Sequence, residues 1–427
     1  MQEVYESKEY VRSRTSYILQ ASFEYCTSVL VADVFLAKLL TEIGMSDATI
    51  GIISSLISVS FLFQLAALRF AQCIRNIKKT VILFDTVSQL FFIAIYFVPF
   101  LGLSLIQKTV FVCSCLLIAY LLKYMTSTVF FKWANGFVMP SRRGAFSANK
   151  EIVSLIVGMI LTFAVGNLVD CLEFQGKLKT SFVIIAMIML ALNLCNFCCL
   201  IAMKEPSPAA EEQTVKPREI WENTLGNLHF RNLVILTSLW AAAYYLTMGF
   251  MGTFKTSDLM LSVGAVQIIN IVGNLSRIGL SKWFGKFSDK TSYANGFCLA
   301  LALFASAYFF NLFATPQNWW CVVVFTILQC ISMAGINQNK GNMCYNYVSE
   351  KYIVHAMSIQ NCVSGVVGFF ASMLGSTILG FVQKNGNELF GLKIYGQQLL
   401  SGVSLGIVCI AIVFTKKVVM TQERFIQ

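Results

Sequence analysis

Charge is what this sequence has least of. Asp, Glu, Lys and Arg make up only 12% of the 427 residues, about half of what a soluble domain carries. Ala48–Leu68, Ile152–Val169, Thr180–Met203, Asn232–Phe254, Ala356–Gln383 and Ile394–Thr415 contain none of the four. A chain that is 57% hydrophobic has too little polar surface to cover a core in water, so a soluble domain is excluded. Histidine is nearly absent, with His229 and His355 alone at the ends of apolar runs. No metal cluster or nucleophile–base pair can be assembled from them, which argues against an enzyme and against a bound metal or cofactor. The glycine-rich phosphate loop of nucleotide-driven pumps is missing too. Met1–Ser16 has no short apolar stretch ahead of a small-residue cleavage site, so the first span itself is expected to direct insertion.

What is present is a rhythm of long apolar runs and short basic loops. A helix needs about 20 residues to cross a hydrocarbon core of about 30 Å, and each run above is that long or nearly so. Thr291–Asn339 is also uncharged, and the turn signal Thr315-Pro316-Gln317-Asn318 cuts it in two. With Tyr17–Leu40, Val81–Leu101, Val110–Phe131 and Leu259–Leu280 the spans number twelve, so the fold class is an all-α integral membrane protein. Twelve spans leave both ends on one side. Of the 32 Lys and Arg residues, 23 then fall on that side, 7 on the other, and Lys123 and Arg277 inside spans. This asymmetry places both termini in the cytoplasm, in a multi-pass protein of a cell membrane, plasma or inner. It also accounts for the net charge of +11 without nucleic acid as a partner. The 14 cysteines lie mostly within spans. Cys195-x-x-Cys198 sits in an apolar run with no second pair, where packing is its expected role.

The polar stretch 204–231, with Pro206, Pro208 and Pro217, divides the chain into six-span halves, 1–203 and 232–427. It is expected to be a cytoplasmic linker, with an interfacial helix over Glu219–Phe230. Ser154-x-x-x-Gly158 in span five recurs as Ser364-x-x-x-Gly368 in span eleven, 210 positions later. Small residues four apart let helices approach closely in lipid, and internal duplication is a common construction of secondary transporters.

Six plus six spans with a long central loop resemble the major facilitator superfamily of secondary transporters. The family's hallmark loop, between the second and third helix of each half, reads Gly-x-x-x-Asp-Arg/Lys-x-Gly-Arg-Arg. Gly285, Asp289 and Lys290 stand at that spacing in the second half, while Ser292, Tyr293 and Ala294 replace the terminal Gly-Arg-Arg. In the first half Arg75, Lys78 and Lys79 keep the basic end, and Phe70 and Ile74 replace the Gly and Asp. Asp85 is then the nearest carboxylate for a latch to use. Pro140-Ser141-Arg142-Arg143-Gly144 is similar to the Pro-x-x-Arg-Gly turn joining helices four and five. The resemblance implies two pseudo-symmetric six-helix bundles around a central cavity, alternating access, and a monomer. It implies secondary active transport of a small organic solute, coupled to an ion gradient, with H+ ahead of Na+. A drug or metabolite efflux antiporter is the alternative, and a non-transporting receptor or scaffold a further one. Val157–Gly166 lacks the proline common in helix five of drug exporters, which weighs against antiport of drugs.

Ionisable groups within spans are costly and mark functional positions. Glu24 in span one and Lys123 in span four lie at similar depths, roughly 12–22 Å from the cytoplasmic face at 1.5 Å per residue, so the two can meet. Such a pair can bind a charged solute or exchange a proton, or it can be a structural link. Asp33, nearer the outer mouth, is a second candidate, with Lys38 as its gate partner. Arg277 is close enough to Lys282 to snorkel. In the second half the candidates are neutral: Trp240, Tyr244 and Tyr245 in span seven, Asn270 and Asn274 in span eight, Gln329, Asn337 and Gln338 in span ten. Aromatic rings with amides can hold a polar organic molecule.

Overall fold

Several helix starts in this protein are capped by short polar side chains. Asn76 accepts from the Lys79 amide at 3.1 Å, Asn227 from that of His229 at 2.9 Å, and Ser262 and Ser292 from those of Ala265 and Asn295 at 3.2 and 3.1 Å. Each satisfies a donor that the first turn of a helix leaves open. The computed structural model describes residues 6–73, 76–139, 143–205, 217–389 and 392–423. In the first half the helices are α1 (Lys8–Leu30), α2 (Asp33–Glu42), α3 (Asp47–Ser54), α4 (Leu56–Ser60), α5 (Leu62–Cys73), α6 (Ile77–Ala94), α7 (Leu105–Asn135), α8 (Arg143–Phe174) and α9 (Leu178–Ala202). The second half holds α10 (Pro217–Asn223), α11 (Leu228–Met248), α12 (Met251–Thr253), α13 (Val263–Lys290), α14 (Tyr293–Asn311), α15 (Trp320–Tyr347), α16 (Ile353–Lys384) and α17 (Gly396–Phe414). Two-residue strands β1 (Glu388–Leu389) and β2 (Leu392–Lys393) pair antiparallel between the last two helices.

Among the described residues eleven segments are long and apolar enough to cross a membrane. The remaining expected span, Tyr17–Leu40, is divided between α1 and α2. Helix α1 is too polar to pass the same measure, because Arg12, Arg14, Gln20 and Glu24 interrupt it. The chain leaves the helix at Val31 and re-enters at Asp33, whose φ of 44° is left-handed. Asp tolerates that region better than most residues, because its short polar side chain can hydrogen-bond locally. The expected helix Glu219–Phe230 is likewise two pieces, α10 and the start of α11, separated by the turn that Asn227 caps. The cut at Thr315–Asn318 is a turn, in which the Asn318 amide donates to Thr315 Oγ1 at 3.1 Å.

Several helices run past their apolar stretches into charged sequence, because backbone hydrogen bonding does not stop where hydropathy does. Lys150 and Lys340, sorted with the loops from sequence, therefore lie inside spanning helices Asn149–Phe174 and Trp320–Tyr347.

The Cα positions divide the chain into two units, Met1–Met45 with Phe63–Gln213, and Ser46–Leu62 with Thr214–Gln427. In the first, α1 packs on α8 and α9, and α6 on α7 and α9. In the second, α11 packs on α16 and α17, and α14 on α15 and α17. The wiring is the same: the first long helix of each unit meets the fifth and sixth spans, and the third meets the fourth and sixth. The repeated Ser-x-x-x-Gly sits at one of these contacts in each unit. Ser154 Oγ is 3.3 Å from Ser22 Oγ, and Ser364 Oγ donates to Thr237 Oγ1 at 3.1 Å. Within the second unit Ser46–Leu62 packs against α16, where Ser376 Oγ donates to the Ala48 carbonyl at 3.0 Å and Gln383 Nε2 to Asp47 Oδ2 at 2.7 Å. The same segment also comes close to the end of α11, where a Cβ at Gly249 would lie 2.6 Å from the Gly51 carbonyl oxygen.

Candidate functional site

Tyr17, Gln20, Ala21 and Glu24 are spaced three, four and seven apart, so α1 presents them along one face. Helix α7 turns Lys123, Tyr124, Ser127, Phe130 and Phe131 the same way. Val81 and Asp85 on α6 and Lys150 on α8 complete the wall of a cavity of about 170 Å³ within the first unit. At its centre Lys123 Nζ is 2.8 Å from Glu24 Oε1, with 25% and 22% of the two side chains exposed. Gln20 Nε2 donates to the other carboxylate oxygen at 3.0 Å. Its own Oε1 has no donor among the described residues. The pair is thus steadied by one amide and lines the cavity with about a quarter of each side chain exposed.

Asp85 lines the same cavity and accepts a hydrogen bond from Asn196 on α9. Lys150 Nζ donates to the Tyr17 hydroxyl at 3.2 Å and stands 5.0 Å from the ring centroid. Two acids and two bases therefore share one small space in a segment of chain otherwise nearly free of charge. Sequence reasoning named Glu24, Lys123 and Asp85 but missed Gln20, Tyr17, Lys150 and Asn196. Gln20 was findable, being one helical turn from Glu24. Lys150 was hidden by its assignment to a loop.

Of the basic loop that Asp85 was expected to serve, Lys78 and Lys79 are among the described residues. Lys78 Nζ instead donates to the Ile201 and Met203 carbonyls at 2.9 and 2.6 Å, closing the open C-terminal end of α9. Lys79 is exposed. Arg75 and Arg142 lie outside the described residues, as does the side chain of Arg143. Asp33 is half-buried, and Lys38 Nζ is 2.5 Å from Glu173 Oε1. Outside the spans, Lys204 Nζ is 2.7 Å from Glu9 Oε2. The hydrogen bond from Lys204, and then its charge, hold the Glu9 carboxyl below its ordinary 4.5. Ser13 Oγ accepts from the Lys204 amide at 2.9 Å and Trp133 Nε1 donates to the Lys204 carbonyl at 2.9 Å, so this residue ties together α1, α7 and the end of α9.

In the second unit Trp240 and Tyr244 stack with centroids 5.4 Å apart, and Tyr244 stacks on Phe304 at 6.4 Å. Tyr245 meets Tyr244 edge-on at 5.0 Å. Gln329 Nε2 contacts Met248 Sδ at 3.1 Å. Asn270, Asn274 and Arg277 are half-buried, whereas Asn337 and Gln338 are exposed. Asn339 is fully buried and donates to the Gly335 carbonyl at 2.8 Å. Asp289 and Lys290 are exposed at the end of α13. A Cβ at Gly285 would lie 2.7 Å from Nε2 of Gln338, the end of an exposed, flexible side chain that can turn aside.

The family model described as Major Facilitator Superfamily matches residues 17–372. No sequence among curated proteins matches the chain. Among solved structures, a point mutant of the nucleoside transporter NupG aligns with a TM-score of 0.70 at 14% identity, over 95% of this chain and 99% of that one. A bacterial homolog of the human lysosomal transporter Spinster, inward-facing and unoccupied, gives 0.67 at 14% identity, over 96% and 97%. A bacterial homologue of the iron transporter ferroportin, inward-facing, gives 0.66 at 12% identity, over 96% and 98%. At such identities the likeness is one of fold alone.

Proposed function

The chain belongs to the major facilitator superfamily, a family of secondary transporters and not of enzymes, and from that premise we propose that it carries a small organic solute driven by a proton gradient. The observation that carries this reading is the Glu24–Lys123 pair, 2.8 Å apart and lining a small cavity. A carboxylate held only by a lysine and an amide can take up a proton and release its partner. The freed ammonium then has Asp85 on the same cavity wall to turn to, and loss of the proton restores the first pairing. Such an exchange links one proton to a local rearrangement, which is what coupling requires. A purely structural pair would have no need of a cavity beside it.

The neighbours named above are a nucleoside transporter and homologues of Spinster and of an iron transporter, so the fold leaves the solute open. Trp240 and Tyr244, with Asn270, Asn274, Gln329 and Asn337, are proposed to supply stacking and hydrogen bonds in the second half. Gly285, Asp289 and Lys290 are proposed to shape a latch at the cytoplasmic loop. The basic asymmetry of the loops supports cytoplasmic termini.

Uptake into proteoliposomes under imposed pH and Na+ gradients tests the reading. Uphill accumulation driven by the pH gradient, abolished in Glu24→Gln with exchange retained, is the expected result. Accumulation that follows the Na+ gradient, or survives intact in Glu24→Gln, overturns the proton assignment.

A further inference from the structure

Lys340 lies in the spanning helix α15 and is half-buried. Its Nζ donates to Asn361 Oδ1 on α16 at 2.8 Å. Among the described residues no carboxylate stands within ion-pair distance of it, whereas Lys123 has Glu24 at 2.8 Å. An ammonium brings three donors and one charge, and a neutral amide oxygen answers one donor and none of the charge. A half-buried ammonium is costly without an opposite charge.

The adjoining residue adds to this surplus. Gln360 is 1% exposed, and its Nε2 has no acceptor among the described residues. Gln360 and Ser364 are one helical turn apart on the same face of α16, and Ser364 Oγ donates to Thr237 of α11. Gln360 therefore belongs to the interior of the second unit and not to its lipid-facing side. Among the described residues, Lys340 and Gln360 thus leave an ammonium without a carboxylate and an amide N–H without an acceptor.

We propose that Lys340, seated by Asn361, is the recognition point for an oxyanion on the carried solute, a carboxylate or a phosphate monoester. This rests on the reading of the chain as a carrier of organic solutes. The two membrane lysines then divide the work. Lys123 is already neutralised by Glu24 and serves coupling, while the charge of Lys340 is left for the cargo. An incoming oxyanion supplies the missing charge and at least two acceptors, through a charge-assisted hydrogen bond of the stronger kind.

The test uses the full-length purified protein and matched probes: succinate with succinamide, glutamate with glutamine, glucose 6-phosphate with glucose, and AMP with adenosine. Thermal unfolding is measured with each, followed by counterflow in proteoliposomes. At least one anion is expected to stabilise the protein more than its neutral mate and to exchange. Lys340→Gln should weaken that anion's binding roughly thirtyfold or more, with Lys340→Arg retaining most of it. Asn361→Asp provides the check that does not depend on how Lys340→Gln folds. It sets a carboxylate against Lys340 and should lower anion affinity while keeping or raising thermal stability. Equal responses to anions and neutral mates, or an anion response unchanged in Lys340→Gln and Asn361→Asp, overturn the assignment. Neutral members that bind and exchange while the anions do not would remove Lys340 and leave the carrier reading standing. A panel in which nothing binds or exchanges removes both.

Discussion

Gly158 lies flat against the ring of Tyr25, so that a methyl group at position 158 would stand 2.7 Å from the ring carbon Cδ1. In the other unit Gly368 faces Tyr245 in the same way, with Cε2 3.0 Å from the missing methyl. The two glycines end the repeated Ser-x-x-x-Gly, and each allows the fifth span of its unit to close on the first. Gly158→Leu and Gly368→Leu should therefore each cost about 1–3 kcal/mol, the range for overpacking. Thermal unfolding in detergent checks this. Tyr25→Ala should recover part of the loss in Gly158→Leu and none of that in Gly368→Leu.

The pair at the cavity invites a four-variant comparison of wild type, Glu24→Gln, Lys123→Ala and the double mutant. Removing one partner strands the other in a poorly solvated place. Each single change should destabilise by somewhat less than the roughly 3–5 kcal/mol of a fully buried pair, since about a quarter of each side chain is exposed. The double mutant should fold better than either single. If it also keeps full pH-dependent uphill transport, the pair is scaffolding and coupling must be sought elsewhere, with Asp33 next in line.

Lys78 has a structural assignment that can be separated from any gating role. Its ammonium closes the C-terminal carbonyls of α9, so Lys78→Ala should lower stability by roughly 1–2 kcal/mol, and Lys78→Arg by less. Cleavage by added protease near Lys204 should speed up in parallel. An unchanged melting temperature in Lys78→Ala would show that water replaces the lysine at no cost.

The Glu9–Lys204 contact gives a pH dependence of definite sign. Because Lys204 lowers the Glu9 pKa in the folded protein, the stabilisation is complete above the ordinary value of 4.5 and is lost as pH falls through the lowered one. Between pH 7 and 5 wild type and Glu9→Gln should therefore differ by a constant amount. Below that the difference should shrink to nothing. Trp133, whose indole donates to the Lys204 carbonyl, provides a fluorescence readout. A difference that grows on acidification contradicts the assignment.

Much of the candidate site was legible because deep charges are conspicuous. Glu24 and Lys123 interrupt apolar runs, and counting residues along a helix places them at like depth. Asp85 was visible as a charge but not as a member of the same cavity, since its partner Asn196 comes from a helix more than a hundred positions later. Lys150 and Lys340 were misplaced for one reason: α8 and α15 extend beyond their apolar windows, and hydropathy cannot register a helix that continues into polar sequence. The break at Val31–Ala32 had no sequence signal as strong as a proline or glycine, and only a left-handed Asp33 marks it.

What the sequence by itself determined is the class of this protein: a polytopic helical membrane protein. Those properties follow from costs incurred residue by residue, since each charge in hydrocarbon and each unpaired backbone amide is penalised wherever its neighbours lie. Only the tertiary structure decided the pairings. Glu24 meets Lys123, Asn196 meets Asp85, Lys78 goes to the end of α9, and Lys340 meets an amide and, among the described residues, no acid. Each depends on how far apart two helices pack and how each is turned about its axis. Those quantities are set by close contacts such as Gly158 against Tyr25, which seats α8 on the residue beside Glu24 although the two are more than a hundred positions apart in the chain.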